Sequence, residues 1–304
     1  MLRMKAVTAA LAAAAAVAVV VPASASAQLP VPYAGGALLS FAFNELFAPT
    51  AVSGGNNGCK PTAAHPYPVV LVHGTLENEG SNWITLAPLL ADNRYCVYAL
   101  NYGNSGTADI PTSARQLSTF VNHVLAYTGA SQVDIVGHSQ GGMMPNYYIK
   151  FLGGASKIHT LIGLAPSNHG TTVGGLANLL TTPGIRRLFD HVLDVLGLPA
   201  LEQQVVNSAF ETHLFAGGDT VPGPRYVVIE TTHDEIVTPY TTAFLNGPDV
   251  TNITIQNQCP SDGTEHIGIV MDQPVAENVL NQLRRNPNPS FRATCNSANF
   301  GPGL

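Results

Sequence analysis

Charge is scarce in this sequence. Only 11% of its 304 residues are charged, the 13 Lys and Arg never cluster into a run, and the formal net charge is −6. A chain without a basic stripe or patch lacks the electrostatic footprint of a nucleic-acid binder. Cysteine is sparse too: there are four, and no Cys-x-x-Cys spacing occurs among them, which argues against a structural zinc site. Beyond residue 27 no stretch is apolar enough to cross a membrane, so no stable membrane anchor is expected. What the chain does have is apolar bulk. At 45% hydrophobic it can bury a sizeable core and is far from the composition of a disordered segment. The length suits one large α/β domain or two small ones. No internal repeat and no second boundary is visible, so residues 28–304 are expected to form a single domain.

The first 27 residues read as a signal peptide. Arg3 and Lys5 give a positive start, residues 6–21 are apolar, and Ala25-Ser26-Ala27 supplies the small-x-small cleavage pattern. The apolar run falls short of the ~20 residues that span a bilayer. No Arg-Arg pair precedes it, so Sec-type export is expected, with cleavage after Ala27 and a secreted, extracellular product. In an oxidising compartment the four cysteines are expected to form disulfides. Sequence permits three pairings. Cys59–Cys96 and Cys259–Cys295 are expected, because each would join segments flanking one structural unit.

Strand and helix patterns alternate from residue 67 onward. Short apolar runs at 69–72, 96–100, 133–136, 161–165, 226–229 and 250–255 read as strands buried in a parallel sheet. In 111–127, Leu117, Phe120, Val121, Val124 and Leu125 form one apolar helical stripe closed by Gly129. Further helices are expected after Gly142 and around 274–284. This pattern implies an α/β fold, a mostly parallel sheet with helices on both faces. Residues 28–58, rich in Gly, Pro and Ala, read as an N-terminal arm. Residues 172–222 contain helical pieces at 173–180, 185–196 and 199–206 without a convincing strand, and are expected to form a helical cap insertion. In its central piece Ile185, Leu188, Phe189, Val192 and Leu196 share one face. That face either packs on the sheet or lines an acyl groove.

The strongest chemical signal is Gly137-His138-Ser139-Gln140-Gly141, lying between the strand at 133–136 and a helix. Gly-x-Ser-x-Gly alone is common by chance. Between a strand and a helix it is the signature of a nucleophile elbow, whose tight turn presents the serine and leaves no room for side chains at the flanking glycines. An attacked ester carbonyl becomes an oxyanion and needs two backbone N–H donors. Gln140 follows the nucleophile and is expected to give one. Thr75, in His73-Gly74-Thr75 after the first core strand, is expected to give the other, with Leu76 as the alternative. Only their main chains are needed, so their side chains are expected to be free to vary.

In this elbow architecture the triad runs Ser, then Asp or Glu, then His. Of the ten histidines, His266 alone follows the strand at 226–229 and its turn. His169 precedes every good acid, His233 sits beside the candidate acid, and His138 is expected to point elsewhere. Asp234 lies just past that strand and is the expected acid. Glu235 should point away, Asp219 comes too early, and Asp262 and Glu265 are too close to His266 on one loop. Asp134 reads as a structural carboxylate.

Together these residues resemble the secreted actinobacterial lipases of the class 2 lipase family, within the α/β-hydrolase fold. The resemblance is carried by Cys59-Lys60-Pro61, the segment 65–75, Asn82-Trp83, Leu100-Asn101-Tyr102-Gly103, the segments 136–142, 164–171 and 234–240, and Glu265-His266-Ile267-Gly268. His233 departs from the Tyr expected before the acid. The resemblance implies hydrolysis of carboxylic esters, including triacylglycerols, without cofactor, with the roles of nucleophile, acid and base falling on Ser139, Asp234 and His266; no metal-ligating residues are expected. An acyl-ester lipid is the expected substrate. Three other readings stay open at this point: an esterase or polyester hydrolase with the same triad, an exported acyltransferase, and a non-catalytic binding protein of the same fold.

Overall fold

The computed structural model describes residues 28, 29, 31, 33, 51–172 and 198–295. The cap pieces expected at 173–180 and 185–196 lie outside these residues, as do the expected signal peptide and most of the arm.

Six strands make one sheet: β1 (Val69–Val72), β2 (Val97–Leu100), β3 (Val133–His138), β4 (Ile158–Leu164), β5 (Arg225–Glu230) and β6 (Val250–Thr254). Their order is β2-β1-β3-β4-β5-β6, and every pairing is parallel. Parallel neighbours need crossover connections. Helices α1 (Glu79–Asn82), α2 (Leu86–Asp92), α3 (Ile110–Thr128), α4 (Gln140–Phe151), α5 (Pro199–Gln203) and α6 (Ala209–Leu214) lie along them, and α7 (Gln273–Gln282) follows β6.

Side chains alternate across each strand, and this divides the core in two. Val70, Val72 and Ile135 face Leu117 and Val121 of α3 and Met143, Met144 and Tyr148 of α4. Val69, Leu71, Val136 and Ile162 face Leu86 and Leu90 of α2 and Val275 and Val279 of α7. Each aliphatic side chain fully buried this way is worth ~1.5–3 kcal/mol. Local chemistry fixes the helix ends. Asp109 caps α3 by accepting from the Thr112 N–H, and Gly129, at φ 76°, closes it in the left-handed conformation. Asp272 caps α7 through the Val275 N–H.

Some boundaries differ from those the sequence pattern suggests, and β4, expected at 161–165, already begins at Ile158. Helix α4 begins at Gln140, just past Ser139 as the elbow reading expects and ahead of the apolar pattern after Gly142. The piece expected at 199–206 stops at Gln203. Beyond it, Val205 bridges Thr171, with the Thr171 N–H donating to the Gln204 carbonyl at 2.9 Å. That long-range pairing competes with helix continuation and wins. Helix α6 follows, with Ser208 at its cap accepting from the Glu211 N–H.

The cysteines are paired as Cys59–Cys96 and Cys259–Cys295, at sequence separations of 37 and 36. The first ties the segment before β1 to the entrance of β2. The second ties the chain ahead of His266 to the C-terminal segment. Loops of this length are worth about 2–4 kcal/mol each by restriction of the unfolded chain. Non-reducing peptide mapping of the folded protein is expected to recover both links, and reduction should lower the melting temperature. Four free thiols in active protein would contradict these pairings. Among the described residues no helix is long and apolar enough to cross a membrane.

Candidate active site

The site gathers at the C-terminal ends of β1, β3 and β5. Ser139 sits where β3 meets α4, with φ 52° and ψ −123°. A positive φ on a non-glycine residue costs on the order of 1–3 kcal/mol and persists only where surrounding structure enforces it. The flanking glycines show how the turn is enforced. A Cβ on Gly137 would lie 1.9 Å from the Gly141 carbonyl oxygen, and one on Gly141 would lie 2.1 Å from that of Val72. Only glycine fits either position. Ser139 therefore stands at the first turn of α4, whose positive end favours developing negative charge.

His266 is brought to Asp234 from 32 residues away, with Nδ1 2.8 Å from Asp234 Oδ2. The other carboxylate oxygen of Asp234 accepts from the N–H groups of Ile236 at 2.8 Å and Val237 at 2.6 Å. The acid is thus locked by its own loop and leaves one oxygen for the imidazole. Burial favours the neutral form of His266. The charge and hydrogen bond of Asp234, followed by the charges of Glu235 and Glu77, outweigh it and raise the pKa above the ordinary histidine value. Glu235 does not simply point away, as the sequence suggests. Its Oε2 accepts from the His266 backbone N–H at 3.2 Å.

The other candidates have structural partners. His169 pairs with Asp219 at 3.1 Å. His233 is exposed beside Gln256. Asp262 accepts from the Thr264 N–H, and Glu265 from those of Ile267 and Gly268. Asp134 is buried against His159 at 2.8 Å, in keeping with a structural carboxylate.

The side chains of Thr75 and Gln140 meet and are not idle. Gln140 Nε2 donates to Thr75 Oγ1 at 2.8 Å and to the Gly106 carbonyl at 2.7 Å. Gln204 Nε2 donates to the same threonine oxygen at 3.0 Å. The Tyr102 hydroxyl donates to the His73 carbonyl at 2.8 Å and lies 3.3 Å from Gln140 Oε1. The expectation that these side chains are free to vary is therefore corrected. They stitch the loop after β1 to the start of α4, and with it the spacing between the two backbone amides. Leu76, the alternative donor, already gives its N–H to the Ser105 carbonyl at 2.7 Å.

Two buried carboxylates beside the site escaped the sequence reading. Glu230, at the end of β5, accepts from the Thr231 N–H at 2.7 Å. Burial, then the charge of Asp234, pushes it well above the usual carboxylate range. Glu77, fully enclosed, lies 2.9 Å from His138. Burial pushes its pKa up, but His138, His73 and the Gly74 N–H together hold it below the ordinary value. Neither residue lies in a local pattern that marks burial. A glutamate beside Asn78 and Glu79 reads as solvated.

Known proteins share this architecture. A triacylglycerol lipase of Burkholderia plantarii is 35% identical over 123 residues, which make up 38% of this chain and 32% of that protein. A triacylglycerol lipase of Pseudarthrobacter phenanthrenivorans is 37% identical over 91 residues, 28% of each chain. The matched stretches thus span about a third of these curated relatives or less. Among solved structures, Aspergillus fumigatus lipase B superposes with a TM-score of 0.60 at 23% identity, covering 80% of this chain and 56% of that one. Mature Bacillus licheniformis lipase BlEst2 gives a TM-score of 0.55 at 18% identity, covering 76% of this chain and 100% of that one. At such identities the likeness shows the fold alone, that of an α/β-hydrolase. The model of the family described as Lipase (class 2) matches residues 66–277. With a match over more than half of its length, the chain belongs to the class 2 lipase family.

Proposed function

We propose that this protein is a secreted hydrolase of carboxylic esters, acting on triacylglycerols and related acyl esters through an acyl-enzyme on Ser139. The observation that carries the reading is Ser139 held at φ 52° between β3 and α4, in a chain where a buried Asp234–His266 pair meets at 2.8 Å. Ser139 Oγ attacks the ester carbonyl carbon while His266 Nε2 takes its proton. Asp234 holds Nδ1–H and stabilises the imidazolium. The backbone N–H groups of Thr75 and Gln140 receive the oxyanion. His266 then passes its proton to the departing alcohol. Water, activated by the same imidazole, cleaves the acyl-enzyme to release the carboxylic acid and restore Ser139. The two disulfides and the sequence of residues 1–27 support an extracellular setting.

The test is a rate series on p-nitrophenyl esters from two to sixteen acyl carbons, beside emulsified triacylglycerol and with added alcohol as a competing acceptor. Release of fatty acid from the emulsion, with long-chain esters cleaved well, is expected. Activity confined to short soluble esters would make the protein an esterase. Preferential transfer to alcohol would make it an acyltransferase.

The pH profile follows from the base. Protonated His266 cannot accept the serine proton, so kcat/KM falls as pH drops through its pKa. Because that pKa is raised above 6.5, the acid limb should have its midpoint above pH 6.5. Below it the rate should fall about tenfold per pH unit. Initial rates on a soluble ester from pH 5 to 9 give the midpoint. A flat profile would remove His266 from the mechanism.

A further inference from the structure

We propose that Glu77 and His138 form a second buried acid–imidazole pair that positions the base, by tying the His266 backbone to both the oxyanion loop and the nucleophile turn. The proposal rests on the Ser139–Asp234–His266 reading and adds two positioning residues to it. His138 Nδ1 lies 2.9 Å from Glu77 Oε2, across 61 residues of chain. Its Nε2 lies 3.0 Å from the backbone carbonyl oxygen of His266, across 128 residues. A carbonyl can only accept, so Nε2 carries a proton and donates it. Glu77 Oε2 also accepts from the Gly74 N–H at 2.8 Å, which anchors the carboxylate in the loop that presents Thr75. Asn82 of α1 borders the cluster, its side-chain amide 3.0 Å from His138 Nδ1. The rings of His138 and His266 lie 5.0 Å apart. A single imidazole thereby links the three segments that supply an oxyanion donor, the nucleophile and the base.

The pair is poorly explained as a source of stability. The His138 and Glu77 side chains are only 1% and 3% exposed. Desolvating two ionisable groups costs several kcal/mol, and well-packed apolar residues of similar volume are often at least as stable. Gly74 is committed to the same arrangement, since a Cβ there would lie 2.4 Å from Glu77 Oε2 and 3.0 Å from His138 Nδ1. What the pair does give is orientation. Asp234 holds the ring of His266 at Nδ1, Glu235 holds its N–H, and His138 holds its carbonyl. With ring and both backbone polar groups fixed, Nε2 has a defined position for the proton of Ser139. A displacement of about 1 Å at such a centre can cost about a hundredfold in rate.

Two conservative variants separate this role from simple filling of space. In His138→Asn the amide nitrogen can still reach toward Glu77, but the arm to the His266 carbonyl is gone. In His138→Gln the amide nitrogen takes the place of Nε2 and can donate to that carbonyl. On a soluble short-chain p-nitrophenyl ester, folded His138→Asn is expected to lose about 10–100-fold in kcat, with KM changed less than about threefold. His138→Gln should regain most of that loss. Labelling of Ser139 by an organophosphonate should slow in the same order. Where His138→Asn does not fold, Glu77→Ala, which removes the carboxylate that anchors the ring, serves in its place, and a kcat loss at unchanged KM is again expected. Folded His138→Asn or Glu77→Ala with wild-type kcat would overturn the proposal, as would kcat losses in the Asn and Gln variants that merely track their melting temperatures. Folded His266→Ala is the separate control. If it retains hydrolysis and labelling, the triad reading itself fails, whatever His138 does.

Discussion

Replacing Ser139 with alanine is expected to remove ester hydrolysis almost completely, lowering kcat by about 10⁶ while the protein still folds. The size follows from the chemistry. Without Oγ no acyl-enzyme forms, and what remains is the contribution of the oxyanion donors and of binding to direct attack by water. The fold should tolerate the change because Ser139 makes no side-chain capping bond to α4. The turn is shaped instead by the glycines on either side and by backbone bonds such as Ser139 N–H to the Leu164 carbonyl at 2.9 Å. Alanine inherits the strained φ of 52° without adding bulk. A double variant, Ser139→Ala with His266→Ala, should lose little more than the single one, since nucleophile and base act as a unit. The measurements are single-turnover rates on a p-nitrophenyl ester, far-ultraviolet dichroism and melting temperature. Hydrolysis retained by a folded Ser139→Ala protein would show that the elbow serine is not the nucleophile. A large drop in melting temperature would instead show that Oγ has a structural role.

How much of this was legible in the sequence depends on the range of the interaction. Strands β1 and β3 are buried on both faces, so their apolar runs announce them, and Ser139 is legible because the elbow is a local pattern joined to one of those runs. Asp234 and His266 became legible through chain order, which the fold imposes. The start of α4 just past Ser139 was legible from the elbow and not from propensity, since Gly141 and Gly142 are weak helix formers. There the packing of the turn against β1 overrides propensity. The end of α5 was hidden because the competing partner, Thr171, lies in a distant segment. Glu77, His138, Gln140 and Gln204 were misjudged or missed for one shared reason. Each is a polar residue whose partner is supplied by another segment, and no periodicity encodes such a contact. The residues proposed to react could be singled out from sequence; the polar contacts around them could not.

Asparagine at position 234 is expected to lower kcat by about 10⁴ in a folded protein, with KM little changed. The geometry makes this a change in proton placement rather than in shape. Asp234 Oδ1 accepts from the Ile236 and Val237 N–H groups, and an amide oxygen can accept both. The amide nitrogen then occupies the place of Oδ2, 2.8 Å from His266 Nδ1. It is a donor, so Nδ1 must accept and the ring proton moves to Nε2. The nitrogen that should receive the Ser139 proton then already carries one. Loss of the carboxylate also removes the strongest influence raising the His266 pKa, leaving burial, which lowers it, opposed by the weaker charges of Glu235 and Glu77. The acid limb of kcat/KM should therefore move to lower pH as its plateau falls. That joint signature separates the assignment from a general loss of structure, which would lower the rate without a directed shift. Two carboxylates stand close enough to complicate it. Glu235 meets the His266 backbone, and Glu230 is buried at the end of β5, where the charge of Asp234 acts on it. If either could serve as the acid, Asp234→Asn would lose less than about tenfold. Combining it with Glu230→Gln or Glu235→Gln would then produce the missing loss and identify the substitute. A folded Asp234→Asn protein with wild-type kcat and an unmoved acid limb, in all three backgrounds, would remove Asp234 from the triad.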